Sequence, residues 1–174
     1  MKKIKLSQNK YTLVDNADYD WLKQWEWKVN GHGYVYRVLK INKKHEWIWM
    51  HRIINKTSSN LHTDHIDGNT LNNQRNNLRS CNRFENMQNR KLNRNNASGY
   101  KGVCWHKIGK KWVAQIFLKR KAIYLGYFKD KKEAALAYNE AAKKYFGKFS
   151  RLNKINKVGL PNLNGKHYKL KDNK

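Results

Sequence analysis

A chain of 174 residues has room for one ordinary domain or two small ones, and 38 lysines and arginines against 12 acidic residues give it a net charge of +26. Self-repulsion on that scale does nothing for folding and points to a polyanionic partner. A membrane is the poorer choice, because no apolar run nears the ~20 residues of a span and no signal-type segment follows Met1. Seven Trp and ten Tyr exclude a disordered basic tail as a description of the whole, although a basic protein of the ribosomal kind still fits composition alone.

The first 50 residues read as β-rich. Lys3 to Leu6 alternates, Tyr11 to Val14 is β-prone, and Asp15 or Asn16 can cap a short helix through Trp21 and Leu22. Tyr34 to Val38 and Glu46 to Met50 then resemble paired strands joined across Asn42, Lys43 and Lys44. Residues 51–92 change texture: His51-Arg52-Ile53-Ile54, then Thr63-Asp64-His65-Ile66-Asp67-Gly68-Asn69, then a loop holding Asn72, Asn73, Asn76 and Asn77 before Leu78-Arg79. Asparagine this dense marks a loop held by side-chain-to-backbone bonds. A helical pattern starts near Asn82, with Phe84 and Met87 on one face and Arg83, Asn86 and Arg90 on another. Two cysteines, Cys81 and Cys104, lie far apart without CxxC spacing, so neither a disulfide framework nor a thiolate zinc site is expected, and a reducing intracellular setting fits.

Residues 93–97 read as a linker and 98–153 as a second unit. Gly102 to Trp105 begins a strand, Trp112 to Leu118 continues with period two, and Ala122 to Gly126 follows the turn at Lys119-Arg120-Lys121. Asp130 and Glu133 make a capping box for a helix striped by Ala134, Ala137, Tyr138, Ala141 and Tyr145, with Gly147 as its stop. Three strands and a packed helix make a minimal two-layer domain. Residues 154–174 read as a basic flexible tail. From Asn86 to Lys129 there are eleven Lys or Arg and no acid, a one-signed field suited to phosphates.

The set Asp64-His65, Asn77 and Asn86 resembles the zinc-free HNH family of homing endonucleases. The matching pieces are His51-Arg52, Asp64-His65-Ile66-Asp67-Gly68-Asn69, Asn77-Leu78-Arg79 and Asn86, over about forty residues. The resemblance implies a ββα unit clasping one divalent cation. Histidine has an ordinary pKa near 6.5, so His65 is suited to be the base that activates water. Asp64 and Asn86 offer two oxygen ligands with one formal charge, suited to Mg2+ (or Mn2+). Asn77, on the family's pattern, holds the loop and orients His65. His51 is either a structural histidine or a DNA contact. Adjacent side chains on a regular strand point to opposite faces, so the strand is expected to end or twist at Asp64-His65.

Residues 98–153 resemble the Apetala-two/ethylene-response-factor DNA-binding domain. The resemblance rests on Ser98-Gly99-Tyr100-Lys101-Gly102-Val103, on Trp112, Ala114 and Ile116, and on Tyr124-Leu125-Gly126 with Phe128. Ala134-Ala135, Ala137-Tyr138 and Asn153 complete it. It implies three antiparallel strands laid in the major groove with the helix behind. On strand parity Ala114, Ile116, Leu118, Ile123 and Leu125 face the helix, while Gln115, Phe117, Lys119 and Tyr124 face DNA. Arg83, Arg90, Lys101, Trp105, Lys110 and Lys121 complete the expected DNA contacts. The fold expectation is therefore α+β: a β-rich N-terminal part leading into a ββα-metal unit, then a three-stranded antiparallel sheet on one helix. The functional expectation is a metal-dependent endonuclease acting on double-stranded DNA, against the alternative of a sequence-specific regulator with an inactive HNH unit. No obligate protein partner is expected, and the setting implied is the cytoplasm of a bacterial or phage-infected cell.

Overall fold

The computed structural model describes residues 1–156, so most of the expected tail (residues 154–174) lies outside the described residues. The chain is mixed α/β and divides into two compact units, Met1–Asn89 and Arg90–Lys174. Among the described residues no helix is long and apolar enough to cross a membrane.

In the first unit β1 (Lys2–Lys5) pairs antiparallel with β2 (Tyr11–Val14), and α1 (Asn16–Leu22) follows. A second sheet has the order β3-β4-β5, from Lys28–Val29, Val35–Ile41 and Lys44–Trp49. Its long hairpin turns at Asn42 and Lys43, both at positive φ. Met50, expected to close a strand, instead opens the short helix α2 (Met50–Ile54). Strands β6 (His62–His65) and β7 (Leu78–Cys81) pair antiparallel, and α3 (Arg83–Gln88) packs against both.

One apolar core joins these pieces: Ile4, Val14, Leu22, Trp27 and Val35 of the β-rich region bury with Met50, Ile54 and Leu78. The polar joint is equally direct. Leu13 N donates to Leu71 O (2.8 Å) and Asn73 N to Leu13 O (2.8 Å), so the asparagine-rich loop docks on the edge of β2. Asp18, fully buried, takes Arg75 Nε and Nη2 at 2.8 and 2.6 Å. Asp15 caps no amide of α1; its carboxylate accepts Arg75 N and Gln74 Nε2 instead. The first 50 residues are thus part of the body that carries the motif.

In the second unit β8 (Val103–His106), β9 (Lys111–Leu118) and β10 (Lys121–Phe128) form an antiparallel sheet ordered β10-β9-β8, backed by α4 (Lys131–Phe146). Small helix residues let the layers approach: Ala134, Ala137 and Ala141, with the ring of Tyr138 among them, pack on Val103, Ala114, Ile116 and Leu125. At Gly102 (φ +75°) a Cβ would collide with the Tyr138 ring, so the chain can pass the helix only as glycine. Asn153 ties the end of the unit to its start. Its amide bonds Lys101 N and O, and its backbone exchanges two bonds with the Asn139 side chain. Asp130 caps α4 through Lys132 N (2.6 Å), whereas both halves of a capping box are present at α3, between Asn82 and Glu85. Gly147 stops α4 at φ +50°. Asn96, within the expected linker, holds a turn by accepting from Gly99 N and Ser98 Oγ.

Candidate nuclease centre and nucleic-acid face

Strand β6 ends at His65, where the chain bends back: Gly68 N donates to His65 O and Ile66 N to Asn77 O, both at 2.8 Å. The strand end expected at Asp64-His65 is therefore present, and both side chains are buried, at 6% and 4% exposure.

The His65 ring is aimed by a directional hydrogen-bond chain. Thr12 Oγ1 donates its one proton to Leu71 O (2.8 Å), so it can only accept from Asn73 Nδ2 (2.8 Å). That turns Asn73 Oδ1 toward His65 Nε2 at 3.2 Å. An acceptor there requires a proton on Nε2, which leaves the lone pair on Nδ1. Burial lowers the pKa of His65; the bond to Asn73 and the charges of Asp67 and Asp64 act against it. The ring is neutral at neutral pH, as a base must be.

Of the loop asparagines, Asn73 is the one that hydrogen-bonds the His65 ring, whereas the family's pattern implies Asn77 only as the residue that orients it. Asn77 holds the loop: its Oδ1 accepts Asp67 N, and its Nδ2 donates to Asp67 Oδ1 and Asn72 O. The density of asparagines was the signal that one would reach the ring; which one depends on the docking of β2.

Asp64 lies opposite Arg79 in the β6–β7 pair and forms a buried ion pair with it, Nη2 at 2.6 Å and Nε at 2.8 Å from Oδ2. Asn89, the C-cap of α3, donates to Asp64 Oδ1 and Oδ2 (3.0 Å each) and to His65 O (2.9 Å). Asn86 stands one helical turn earlier, on the face that Asn89 directs at Asp64, and its side chain makes no hydrogen bond among the described residues. Arg79 and Asn89 were both missed as site residues; the i, i+3 spacing of Asn86 and Asn89 was the available hint.

Among the described residues there is no group of three or more His, Cys, Asp or Glu that could hold a metal. Asp64 and Asn86 offer one carboxylate and one amide oxygen, donor types suited to a hard divalent cation that keeps its waters, with the carboxylate already engaged by Arg79 and Asn89. Beside the centre, the His51 and His65 rings lie 5.3 Å apart under Tyr34. His51 is pushed down to about 3, chiefly by burial, and its Nδ1 is buried without a hydrogen-bond partner. Arg52 is structural, closing the loop before β6 through Leu61 O and Ser58 O. Arg83 opens α3 and is exposed, as is Arg90.

In the second unit, pairing register separates the two faces of the sheet. Gln115 pairs with Tyr124, and Phe117 (59% exposed) with Ala122, so these point away from α4 together with Tyr124 (66% exposed). Trp105, 47% exposed, stands on the other face of the sheet from these residues. It pairs with Trp112, whose face carries Ala114 and Ile116 toward the helix, and the two rings pack edge to face at 5.0 Å; Cys104 and His106 take the outer face instead. Lys121 likewise pairs with Leu118 and starts on the helix side, at an exposed hairpin end. Lys110 and Lys119 occupy exposed turns at positive φ. A bulge between Tyr124 and Gly126 (φ +137°) shifts parity, so Tyr127 turns outward (57% exposed) and Phe128 inward. Lys101 is half-buried, donates to Arg90 O at 3.1 Å, and is pushed down to about 8 by burial and then by Arg151 and Arg90.

Comparison with known proteins agrees with both halves. The AP2 domain family matches residues 98–148. The chain is 30% identical over 147 residues to a protein of Acanthamoeba polyphaga mimivirus named as an uncharacterized HNH endonuclease, covering 83% of this chain and 75% of that one. It is 47% identical over 49 residues to Protein 3.8 of Escherichia phage T7, covering 28% of this chain and 40% of that protein. No solved structure matches. With this identity across most of both chains and an AP2 domain at its C-terminal side, the protein belongs to the HNH endonuclease family as an HNH–AP2 fusion.

Proposed function

We propose that the protein is a metal-dependent DNA endonuclease that hydrolyses phosphodiester bonds in double-stranded DNA, of a site-specific homing type, with β6, β7 and α3 acting as its ββα catalytic unit. The observation that carries this reading is the hydrogen-bond chain around His65: Thr12, Asn73 and the buried imidazole are arranged so that a proton on Nε2 meets Asn73 Oδ1 and Nδ1 is left to take a proton from water. As Nδ1 gains that proton, Asn73 Oδ1 accepts from the imidazolium and keeps it in place. Asp64 and Asn86 are the residues that would hold Mg2+ or Mn2+. When bound, such an ion supplies compensation for the charge that develops on the phosphate and the leaving oxygen. Asn77 keeps the loop closed through Asp67 and Asn72.

In the AP2 unit, Gln115, Phe117, Tyr124 and Tyr127 form the side that would read the groove, with Lys101, Lys110, Lys119 and Lys121 as phosphate contacts. Tethering a catalytic unit to a binding unit raises its effective concentration at the site.

One observation favours a second reading, a DNA-binding regulator with an inactive HNH unit: Arg79 and Asn89 already occupy the Asp64 carboxylate. Nicking of supercoiled plasmid decides. The nuclease reading expects cutting with Mg2+ or Mn2+, arrest by EDTA, and loss of cutting in His65→Ala with DNA affinity kept within about threefold. No cutting by the wild-type chain under any divalent cation would leave the regulator.

A further inference from the structure

The β4–β5 hairpin carries an aromatic face that neither core absorbs. Cross-strand pairing sets Tyr36 with Trp49, Val38 with Trp47, and Lys40 with His45 on one side of it. Tyr36 and Trp47 are stacked at 4.5 Å and 28°, and Trp47 and Trp49 at 6.0 Å and 25°, yet Trp47 remains 53% exposed and Val38 38%. The row does not stop there. Trp49 meets His51 at 6.1 Å, and His51 meets His65 at 5.3 Å, so the exposed rings run without a break into the candidate catalytic histidine. The hairpin's charge is one-sided, with Arg37, Lys40, Lys43 and Lys44 against Glu46 alone, and Glu46 pairs with Leu39 on the opposite face.

A flat ring fixed in a stack, flanked by lysine and continuous with a phosphodiester-handling site, has the chemistry of a nucleobase platform. An apolar protein surface would have no use for the lysines. A paired duplex presents base edges in its grooves and keeps its base faces covered, so a ring offering its face suits bases that are out of the helix. We infer that this hairpin face is a stacking platform for unpaired bases of the strand that passes His65, with Trp47 taking the base and Lys40 beside the adjoining phosphate. The inference rests on the nuclease reading for the path of the strand, and its test does not depend on cleavage.

The test uses the full chain in EDTA, with two DNAs of one sequence: a fully paired duplex, and the same duplex interrupted by a short single-stranded gap carrying a fluorescent adenine analogue. The wild type should bind the gapped DNA more tightly and quench the analogue. Trp47→Leu, which keeps apolar cover but offers no ring, should weaken gapped binding roughly five- to hundredfold and abolish the quench. Its affinity for the paired duplex should stay within about twofold, and Trp47→Tyr should retain the quench. Equal binding of both DNAs by the wild type overturns the proposal. So does an equal loss on both in Trp47→Leu, or a change of oligomeric state with DNA binding untouched, which would make the face a contact between copies. The wild-type quench stands apart from any variant, so its absence refutes the platform even if Trp47→Leu fails to fold. Because no metal is present, failure of the platform and failure of the nuclease reading are separate results.

Discussion

Thr12 lies more than fifty residues before His65, yet it governs which ring nitrogen carries the proton. Thr12→Val keeps the shape and removes the oxygen. Leu71 O loses one donor but keeps Leu13 N at 2.8 Å, so the group left short is Asn73 Nδ2, whose other acceptor is Thr70 O at 3.5 Å. Both residues are 0% exposed, and one unsatisfied buried donor costs about 1–3 kcal/mol. For a unit of this size each kcal/mol moves Tm by about 4–8 °C, so a loss on the order of 10 °C is expected by calorimetry. The catalytic consequence is separate. Released from Thr12, the Asn73 amide can turn its Nδ2 toward His65, which places the proton on Nδ1 and idles the base. If the Nδ1–H tautomer comes to be favoured by about 1.4 kcal/mol, only about a tenth of the enzyme carries the active tautomer, and kcat falls about tenfold while KM and DNA affinity hold. Plasmid nicking at saturating DNA measures the rate, nitrogen NMR of His65 reports the tautomer, and Thr12→Ser should rescue both. A Thr12→Val protein that melts lower but nicks at the wild-type rate with an unchanged tautomer would refute the reasoning.

Four further outcomes are expected. Burial holds His65 below its ordinary value of 6.5, so the acid limb of the cleavage pH–rate profile should fall below that pH; a limb above it contradicts the assignment. Folded His51 titrates at about 3 and folded His65 below 6.5, so the unfolded chain binds more protons under pH 6.5. Denaturant melts should therefore show stability declining as pH drops from there, by at most about 1.4 kcal/mol per pH unit for each histidine, with a shallower slope in His51→Phe. Lys101, pushed down to about 8, sheds its charge above that pH, so DNA affinity should drop between pH 8 and 9 in the wild type and much less in Lys101→Arg. Tyr127→Ala should weaken or re-target DNA binding, whereas Trp105→Ala should leave DNA affinity within about twofold and only loosen the packing on Trp112; the reverse order in a mobility-shift assay would return Trp105 to the DNA face.

Local patterns were legible where the chemistry is local. Alternation and capping located the sheet and helix of the second unit, because Ala114, Ile116, Ala137 and Tyr138 repeat at the periods of a strand and a helix. The bulge at Gly126 was not legible, since it changes the count of residues between two strands; that count decides which way Tyr127 and Phe128 point.

At the centre, the sequence alone determined the cast: an Asp-His pair at a strand end, a loop of asparagines and an amide on the following helix. Those residue types and spacings are demanded by the chemistry and read along one stretch of chain. Tertiary structure decided the assignments within that cast. Asn73 and not Asn77 meets His65, because the loop docks on β2 and Thr12 fixes the amide's direction; Asn89 meets Asp64, because α3 packs on β6. A hydrogen bond between residues 61 positions apart leaves no periodic trace in either segment. Its direction follows from which proton each neighbouring group still has to give, and only the packed molecule brings those neighbours together.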